Sequence, residues 1–340
     1  MANTAKHQST EIALPNPQVA EYIEAEIVGD QEGSLRPDMM NAFEAFLQMD
    51  VAYGDPTADT IAAYRREVGF WINWCEKSGI DPAQARRGDV EAYKESLKRA
   101  GLSVATRRHK LSVIRRFYAA SQKYALIQFN PAEGVKGGKD LTLPEDKMKF
   151  LAEQALAALL AAIPGDSISG IRDRTLVALM AIHGLRRIEV HRLNHEDLQI
   201  EGDLAYLVVN GKGNKLRRVY LREDTFATLQ TYFSAKVNAG FVAKGAVFVG
   251  HGNNGRGHRL SRQALHEIVS KYLNLAALKR SGVSCHALRH TFGTLSVAGG
   301  AKVEHVRDSM GHSKLETTSI YIKAVERAKN NPANYINVSV

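Results

Sequence analysis

The stretch DSMGHSKLETTSIYIKA, residues 308–324, decides how this chain is read. Gly311 and His312 stand just before a helix start, and Ser313 and Glu316 have the S-x-x-E spacing of a capping box. Tyr321 follows nine residues after His312. Alone, a tyrosine in an amphipathic helix packs into a core. Beside fixed positive charge and a base, its oxygen is a nucleophile. The rest of the chain decides between the two.

At 340 residues the chain can form two domains, each with its own core. No apolar run reaches the ~20 residues that span a bilayer, and residues 1–18 lack a signal-peptide core, so neither membrane nor export is expected. Cys75 and Cys285 lie far apart, which argues against a disulfide framework and for a reducing cytoplasm. The net charge is +9, unevenly spread. Residues 1–34 carry six acids and one base, so the remainder holds 44 bases against 30 acids, a net +14. A basic body of this kind suits a polyanion, with double-stranded DNA the first expectation; mere solubility is the plainer account.

Residues 1–34 read as a flexible acidic arm. Helical periodicity follows near 37–49, 57–79, 88–99 and 103–123, with a short turn near 124–131, which makes residues 35–131 an all-α domain. In LSVATRRHKLSVIRRFYAASQKY, Leu111, Ile114 and Tyr118 share a core-facing side. Arg107, Arg108, Lys110, Arg115, Arg116 and Lys123 add positive charge with no acid between them. Such a face neutralises phosphates and releases counterions; a solvated helix face is the alternative. Residues 132–147, rich in Gly and Pro, read as a linker. Beyond it the pattern is mixed α/β. Helices are expected near 149–163 and 171–183, then a hairpin in which LAYLVV and RRVYL flank NGKGNK. Further helices are expected near 223–237, 261–278, 285–298, 302–309 and 314–325.

Four separated clusters carry candidate chemistry. Arg186 and Glu189 lie in HGLRRIEVHRLNHEDL, and Lys212 sits at the hairpin tip. His286 and Arg289 stand at i, i+3 on one helix face. His312 and Tyr321 complete the set. Singly, each has an ordinary reading: a surface ion pair, a turn lysine, a packed tyrosine. A zinc site at Cys285, His286 and His290 fails for want of a further cysteine pair. Together they make a phosphate site. Two guanidinium groups fork onto phosphate oxygens, histidines and a lysine move protons, and a tyrosine oxygen attacks. No acidic cluster accompanies them to hold Mg²⁺, so neither metal nor cofactor is expected.

GLRRIEVHRL, NGKGNKLRRVYL, HALRHTFGTLSVAGG and MGHSKLETTSIYI resemble, in order and spacing, the motifs of the tyrosine recombinase (phage integrase) family, and specifically its simple Cre- and Xer-like members. The helical first half resembles that family's core-binding domain. The resemblance implies a multidomain fold: an all-α, SAM-like core-binding domain at 35–131 that clamps DNA, and a mixed α/β, mainly helical catalytic domain at 148–325 with a small antiparallel sheet. It implies that Arg186 and Arg289 hold the phosphate, with Glu189 in support. Lys212 would protonate the leaving 5′-oxygen, His286 serve in acid/base work, His312 donate to a non-bridging oxygen, and Tyr321 act as nucleophile. Arg187 and Ile188 depart from the family's apolar-Ser pair, and Met310 from its usual leucine; none of these removes a catalytic group. Lys215 lies close enough to Lys212 that either could enter the site.

The implied reaction is cofactor-free transesterification through a 3′-phosphotyrosyl link and a Holliday junction. It would run in a homotetramer on two DNA sites with short inverted-repeat cores, in the cytoplasm of a prokaryote or for a phage or plasmid. Arg262 and Gln263, in the first turn of a helix capped by Ser261, are the base-reading candidates, because Arg pairs with guanine and Gln with adenine. Residues 326–340 alternate apolar and polar in NYINVSV, which suits exchange of the tail between protomers or packing in cis. Two other functions fit part of the pattern: a type IB topoisomerase-like relaxing enzyme and a catalytically silent DNA-binding protein. All six catalytic residue types are present, which argues against the second.

Overall fold

The computed structural model describes residues 37–51, 56–142, 148–211, 215–253 and 255–312, with Thr318, Ser319 and Tyr321. Lys212, the Ser313–Glu316 capping box, the 1–34 arm and the 326–340 tail lie outside the described residues. The chain divides into two compact units, Met1–Leu141 and Thr142–Val340.

In the first unit the described helices are α1 (Pro37–Met49), α2 (Ala58–Lys77), α3 (Arg87–Arg99) and α4 (Val104–Lys123). Side-chain oxygens start three of them. Thr57 and Ser103 accept from the N–H groups of Thr60 and Thr106, and Asp89 accepts from that of Arg86 at 2.7 Å. Leu111, Ile114, Phe117 and Tyr118 form the buried spine of α4 and meet Phe43 and Trp71, both fully buried. Trp71 Nε1 donates to the Tyr118 hydroxyl at 3.0 Å, and that hydroxyl donates to the Pro82 carbonyl at 2.9 Å. Both buried aromatic polar groups are thereby satisfied.

Residues 124–131 form turns, as expected, with Ala125 at a positive φ of 54° and Pro131 disfavouring helical geometry at Asn130. One expectation is corrected in this unit. Residues 132–138, expected as linker, pack on α4, with Ala132 and Val135 buried. Arg115 donates to the carbonyls of Ala132 and Val135, and Arg108 to that of Gly138, so arginines of α4 hold this segment down.

The second unit has α5 (Glu153–Ala161), α6 (Ile168–Ala181) and the six-residue α7 (Arg187–Arg192). Then come strands β1 (Leu198–Glu201), β2 (Leu204–Asn210) and β3 (Leu216–Tyr220). Helices α8 (Glu223–Asn238), α9 (Arg262–Leu275), α10 (Cys285–Ala298) and α11 (Val303–Met310) follow. The second half of α6 is buried all round, with Leu176, Val177, Leu179 and Met180 fully buried, and α5, α8, α9 and α10 pack about the helix. The antiparallel sheet runs in the order β1-β2-β3. Its inward face is set by alternation: Ala205, Leu207 and Val209 of β2 are buried, and Leu207 pairs with Val219 of β3. The same register sets Arg217 opposite Val209, on the inward face. A charge on that face needs a partner, and its partner begins the site.

Candidate active site

Glu189, on α7, is 3% exposed. Its Oε1 accepts from Arg186 and Arg217 guanidinium groups, both at 2.9 Å. Its Oε2 accepts from the Arg186 backbone N–H and from Arg217 Nη2, both at 2.8 Å, with Arg289 Nη1 a further 3.9 Å away. Burial alone would raise this carboxyl. The Arg217 fork and the Arg186 donors outweigh it and hold the group below the usual carboxylate range. Glu189 is thus a buried anion about which three arginines converge.

Two of those arginines meet again at the end of α11. Arg186 Nη1 and Arg289 Nη2 both donate to the Met310 carbonyl, at 3.2 and 2.5 Å, and Arg186 Nη2 donates to that of Gly311 at 3.3 Å. Arg217 Nε donates to the Ser309 carbonyl at 2.9 Å. These are the last carbonyls of α11, the negative end of a helix. Gly311 takes the left-handed cap conformation, φ 64° and ψ 48°, and a Cβ there would press on Arg217. Arg289 also donates to the Gly184 carbonyl. Gly184 has φ +69° and no room for a Cβ beside the Phe292 ring, so only glycine presents that carbonyl.

α10 supplies the rest. His286 and Arg289 are one turn apart, and His290 follows, its ring 4.5 Å from that of His286 and nearly perpendicular to it. Tyr321 is 1% exposed, in a small apolar cluster with Met148, Val306 and Met310. Its hydroxyl lies 3.0 Å from His290 Nδ1. The ring lies on Gly293, where a Cβ would come within 2.7 Å of it. The Tyr321 ring is therefore core, while its oxygen faces a histidine. His312 stacks loosely on Tyr321, centroids 6.5 Å apart, and its Nδ1 lies 2.9 Å from the Thr318 hydroxyl.

Burial and the surrounding cations set the protonation states. Burial pushes Tyr321 up to about 12, against the pull of Arg289 and Arg186. Burial, then Arg289 and Arg186, lowers His312 to about 4. Burial, then His286 and Arg289, lowers His290 to about 4. Burial with Arg289 and Arg186 lowers His286 as well. At neutral pH these imidazoles are uncharged, and the arginines carry the positive charge.

The structure therefore brings together Arg186, Glu189, His286, Arg289, His312 and Tyr321. Sequence reading missed Arg217 and the contact of His290 with Tyr321. The period-2 alternation of LRRVY, with Val219 inward, is the signal that would have turned Arg217 inward as well. Lys215, at the foot of the hairpin, is exposed.

The basic run of α4 divides. Lys110 is corrected: it is buried, 2.7 Å from Glu67 of α2, and does not belong to an exposed cationic face. Lys123 pairs with Asp50 at 3.1 Å. The sequence showed no acid within α4, but α1 and α2 pack on it and supply the acids, Glu67 from the middle of α2 and Asp50 just past α1. Arg115 is half-buried on the carbonyls of Ala132 and Val135. Arg107 is half-buried, while Arg108 and Arg116 are exposed, Arg116 against the Tyr64 hydroxyl. Arg262 and Gln263 are exposed in the first turn of α9, which Ser261 caps at 3.0 Å, and Gln263 donates to Glu267 at 3.0 Å.

Known proteins carry the same pattern. Residues 149–327 match the phage integrase family, and residues 41–123 match the N-terminal SAM-like domain of phage integrases. The chain belongs to the phage integrase family and is a tyrosine site-specific recombinase. Its similarity runs to the Xer proteins. Tyrosine recombinase XerD of Bifidobacterium longum is 31% identical over 303 residues, covering 83% of this chain and 94% of that protein. Tyrosine recombinase XerC of Leptospira interrogans is 28% identical over 290 residues, covering 82% and 86%. Among solved structures, XerH recombinase in a post-cleavage complex with palindromic difH has a TM-score of 0.65 at 18% identity, covering 93% of this chain and 94% of that one. A lambda integrase dimer on a core site has a TM-score of 0.63 at 14% identity, covering 82% and 96%. At such identities these two share the fold, an N-terminal helical domain followed by a mainly helical catalytic domain with a small antiparallel sheet.

Proposed function

We propose that the chain cleaves and exchanges DNA strands through Tyr321. The observation that carries this reading is the convergence of Arg186 and Arg289 on the Met310 carbonyl, in the same site as a Tyr321 hydroxyl held at 3.0 Å from His290. Fixed guanidinium charge beside a positioned oxygen suits attack on a phosphodiester, because it stabilises the charge that builds up at phosphorus; each such donor is worth about 3 kcal/mol of barrier. Tyr321 attacks the scissile phosphate, forms a 3′-phosphotyrosyl bond and releases a 5′-hydroxyl. That hydroxyl attacks the corresponding link on a second duplex, and two rounds pass through a Holliday junction. The bond energy is kept in the phosphotyrosine, so the exchange needs neither ATP nor metal.

Arg186 and Arg289 hold the phosphate, Glu189 supports both, and His312 donates to a non-bridging oxygen. His286 takes part in proton movement, and Lys212 protonates the leaving oxygen, with Lys215 its rival. The duplex is contacted by Arg107, Arg108 and Arg116 of α4, with Arg115 braced beside them, and read by Arg262 and Gln263 from the start of α9. Support for a DNA partner comes from XerH, which was captured on difH, and lambda integrase, captured on a core site. Four protomers on two inverted-repeat sites, tail exchange through residues 326–340, the 1–34 arm and a cytoplasmic location belong to the same reading. A nicked duplex that traps the covalent intermediate tests it, with wild type and Tyr321→Phe compared in EDTA. An adduct in wild type alone supports the reading. An adduct in Tyr321→Phe assigns the nucleophile elsewhere. Tight binding by both without an adduct favours a silent DNA-binding protein, and relaxation of supercoils without partner exchange favours a topoisomerase.

A further inference from the structure

The geometry points to His290 as the group that takes the proton from the Tyr321 hydroxyl during strand cleavage and returns it during strand joining; this rests on the reading of Tyr321 as nucleophile. Of the described histidines, His290 is the one bonded to the Tyr321 oxygen, Nδ1 to Oη at 3.0 Å. His312 also borders the ring, but its Nδ1 is engaged with Thr318 at 2.9 Å. His286 meets His290 edge to face, its ring against that imidazole rather than on the tyrosine oxygen.

α10 makes the seat with two residues one turn apart. Gly293 leaves room for the ring, and His290 meets the hydroxyl at its rim. Arg289, adjacent in the same helix, reaches the Met310 carbonyl, so nucleophile, base and phosphate ligand share one rigid element. The charged and titratable groups around the imidazole are His286 and Arg289 of α10, Tyr321, and His312 after α11. Burial, then His286 and Arg289, keep His290 free of its second proton at neutral pH, the state a base needs. Burial raises the Tyr321 hydroxyl, so at neutral pH it still carries the proton that the step must remove.

The step balances as follows. Oη of Tyr321 bonds to phosphorus as the P–O5′ bond breaks. The phenol proton passes to His290 Nδ1, giving an imidazolium beside the phosphate, and O5′ leaves with a proton from the lysine of the proposed reaction. In joining, an incoming 5′-hydroxyl attacks the phosphotyrosine and gives its proton to that lysine, and the departing Tyr321 oxygen recovers its proton from His290.

The test measures single-turnover adduct formation by the full-length chain at neutral pH. The probe is a nicked duplex carrying a site selected from a randomised duplex pool by binding to the Tyr321→Phe chain. His290→Asn places an amide oxygen where Nδ1 stood, so it accepts the hydrogen bond but cannot take the proton. It is expected to bind the probe as wild type does and to form adduct about 10²-fold more slowly. Added imidazole is expected to restore part of the rate to His290→Ala, which a purely structural role would not allow. His290→Asn within about threefold of wild type overturns the assignment, whatever His290→Ala does, because a hydrogen bond alone would then suffice. If His290→Ala does not fold, His290→Asn decides alone. Loss of the adduct in Tyr321→Phe alongside a fast His290→Asn refutes only the role of His290. An adduct surviving in Tyr321→Phe refutes the nucleophile itself.

Discussion

Replacing Glu189 by Gln perturbs the catalytic unit at one oxygen. The carboxylate accepts four hydrogen bonds, three from guanidinium nitrogens and one from a backbone N–H, with a side-chain exposure of 1%. The amide keeps one acceptor oxygen. Its NH2 must face either Arg186 Nη1 and Arg217 Nη1, or the Arg186 N–H and Arg217 Nη2, so two donors are left opposite a third. Arg289 loses its counter-charge while staying 2% exposed. Removing one partner from a buried ionic cluster of this kind costs about 3–5 kcal/mol. Urea unfolding measures it. Both tryptophans, Trp71 and Trp74, lie in α2, so fluorescence follows the helical unit as an internal control while far-UV circular dichroism follows both units. The dichroism transition of the catalytic unit should lose 3–5 kcal/mol, as about that range is set by the buried charge, with the fluorescence midpoint unmoved. Because the carboxyl is held below its ordinary 4.5, its contribution is complete above that pH and is lost as pH falls through the lowered folded value. The gap between wild type and variant should therefore stay flat from about pH 8 to about pH 5 and close in stronger acid. A loss below about 1 kcal/mol, or a gap that closes near neutrality, refutes the placing of Glu189 as the common anion.

Gly293→Ala sets a Cβ 2.7 Å from the Tyr321 ring and forces the ring aside. Adduct formation should fall about 10²-fold, read in the single-turnover assay, while the midpoint of thermal unfolding changes little, because alanine's helix preference of about 1 kcal/mol offsets the overpacking. Arg217→Lys trades a fork for a point charge and cannot hold both Glu189 oxygens and the Ser309 carbonyl; urea titration should show a loss of about 2 kcal/mol. His183, 6% exposed, is lowered to about 4 by burial. The unfolded chain binds its proton near 6.5, so the unfolded state gains protons first and stability falls as pH drops from 6.5 towards 4. His183→Phe should lose about 2 kcal/mol less than wild type between about pH 7 and about pH 5, measured by urea titration at both.

Elements with a strong local signature were legible. The spine of α4 came from its i, i+3, i+7 spacing, and the β2–β3 hairpin from alternation around Asn210-Gly211. The strand β1 was not legible: its four residues show no inward face and pair with β2 along an exposed edge. The helix α7 is too short for periodicity and is made by the reach of Glu189 back to the Arg186 N–H. Around the site, residue types and order pointed to Arg186, Arg289 and Tyr321, but nothing local says which carbonyl or histidine each would meet. The pairs Lys110–Glu67 and His290–Tyr321 cross 43 and 31 residues, and tertiary packing alone decides them.

The Met310 carbonyl, at which Arg186 and Arg289 meet, lies 124 residues downstream of the first and 21 beyond the second. At a ribosomal pace of about 5–20 residues per second, Arg186 emerges some 6–25 seconds before that carbonyl, by the same rough scale. During this interval the growing chain carries its cationic surface without the end of α11 that aligns it, and without the tyrosine that follows. If Tyr321 is the nucleophile proposed above, a nascent or prematurely ended chain carries cations for a polyanion but not the group that would cut it, and the capacity to break a strand arrives last in synthesis.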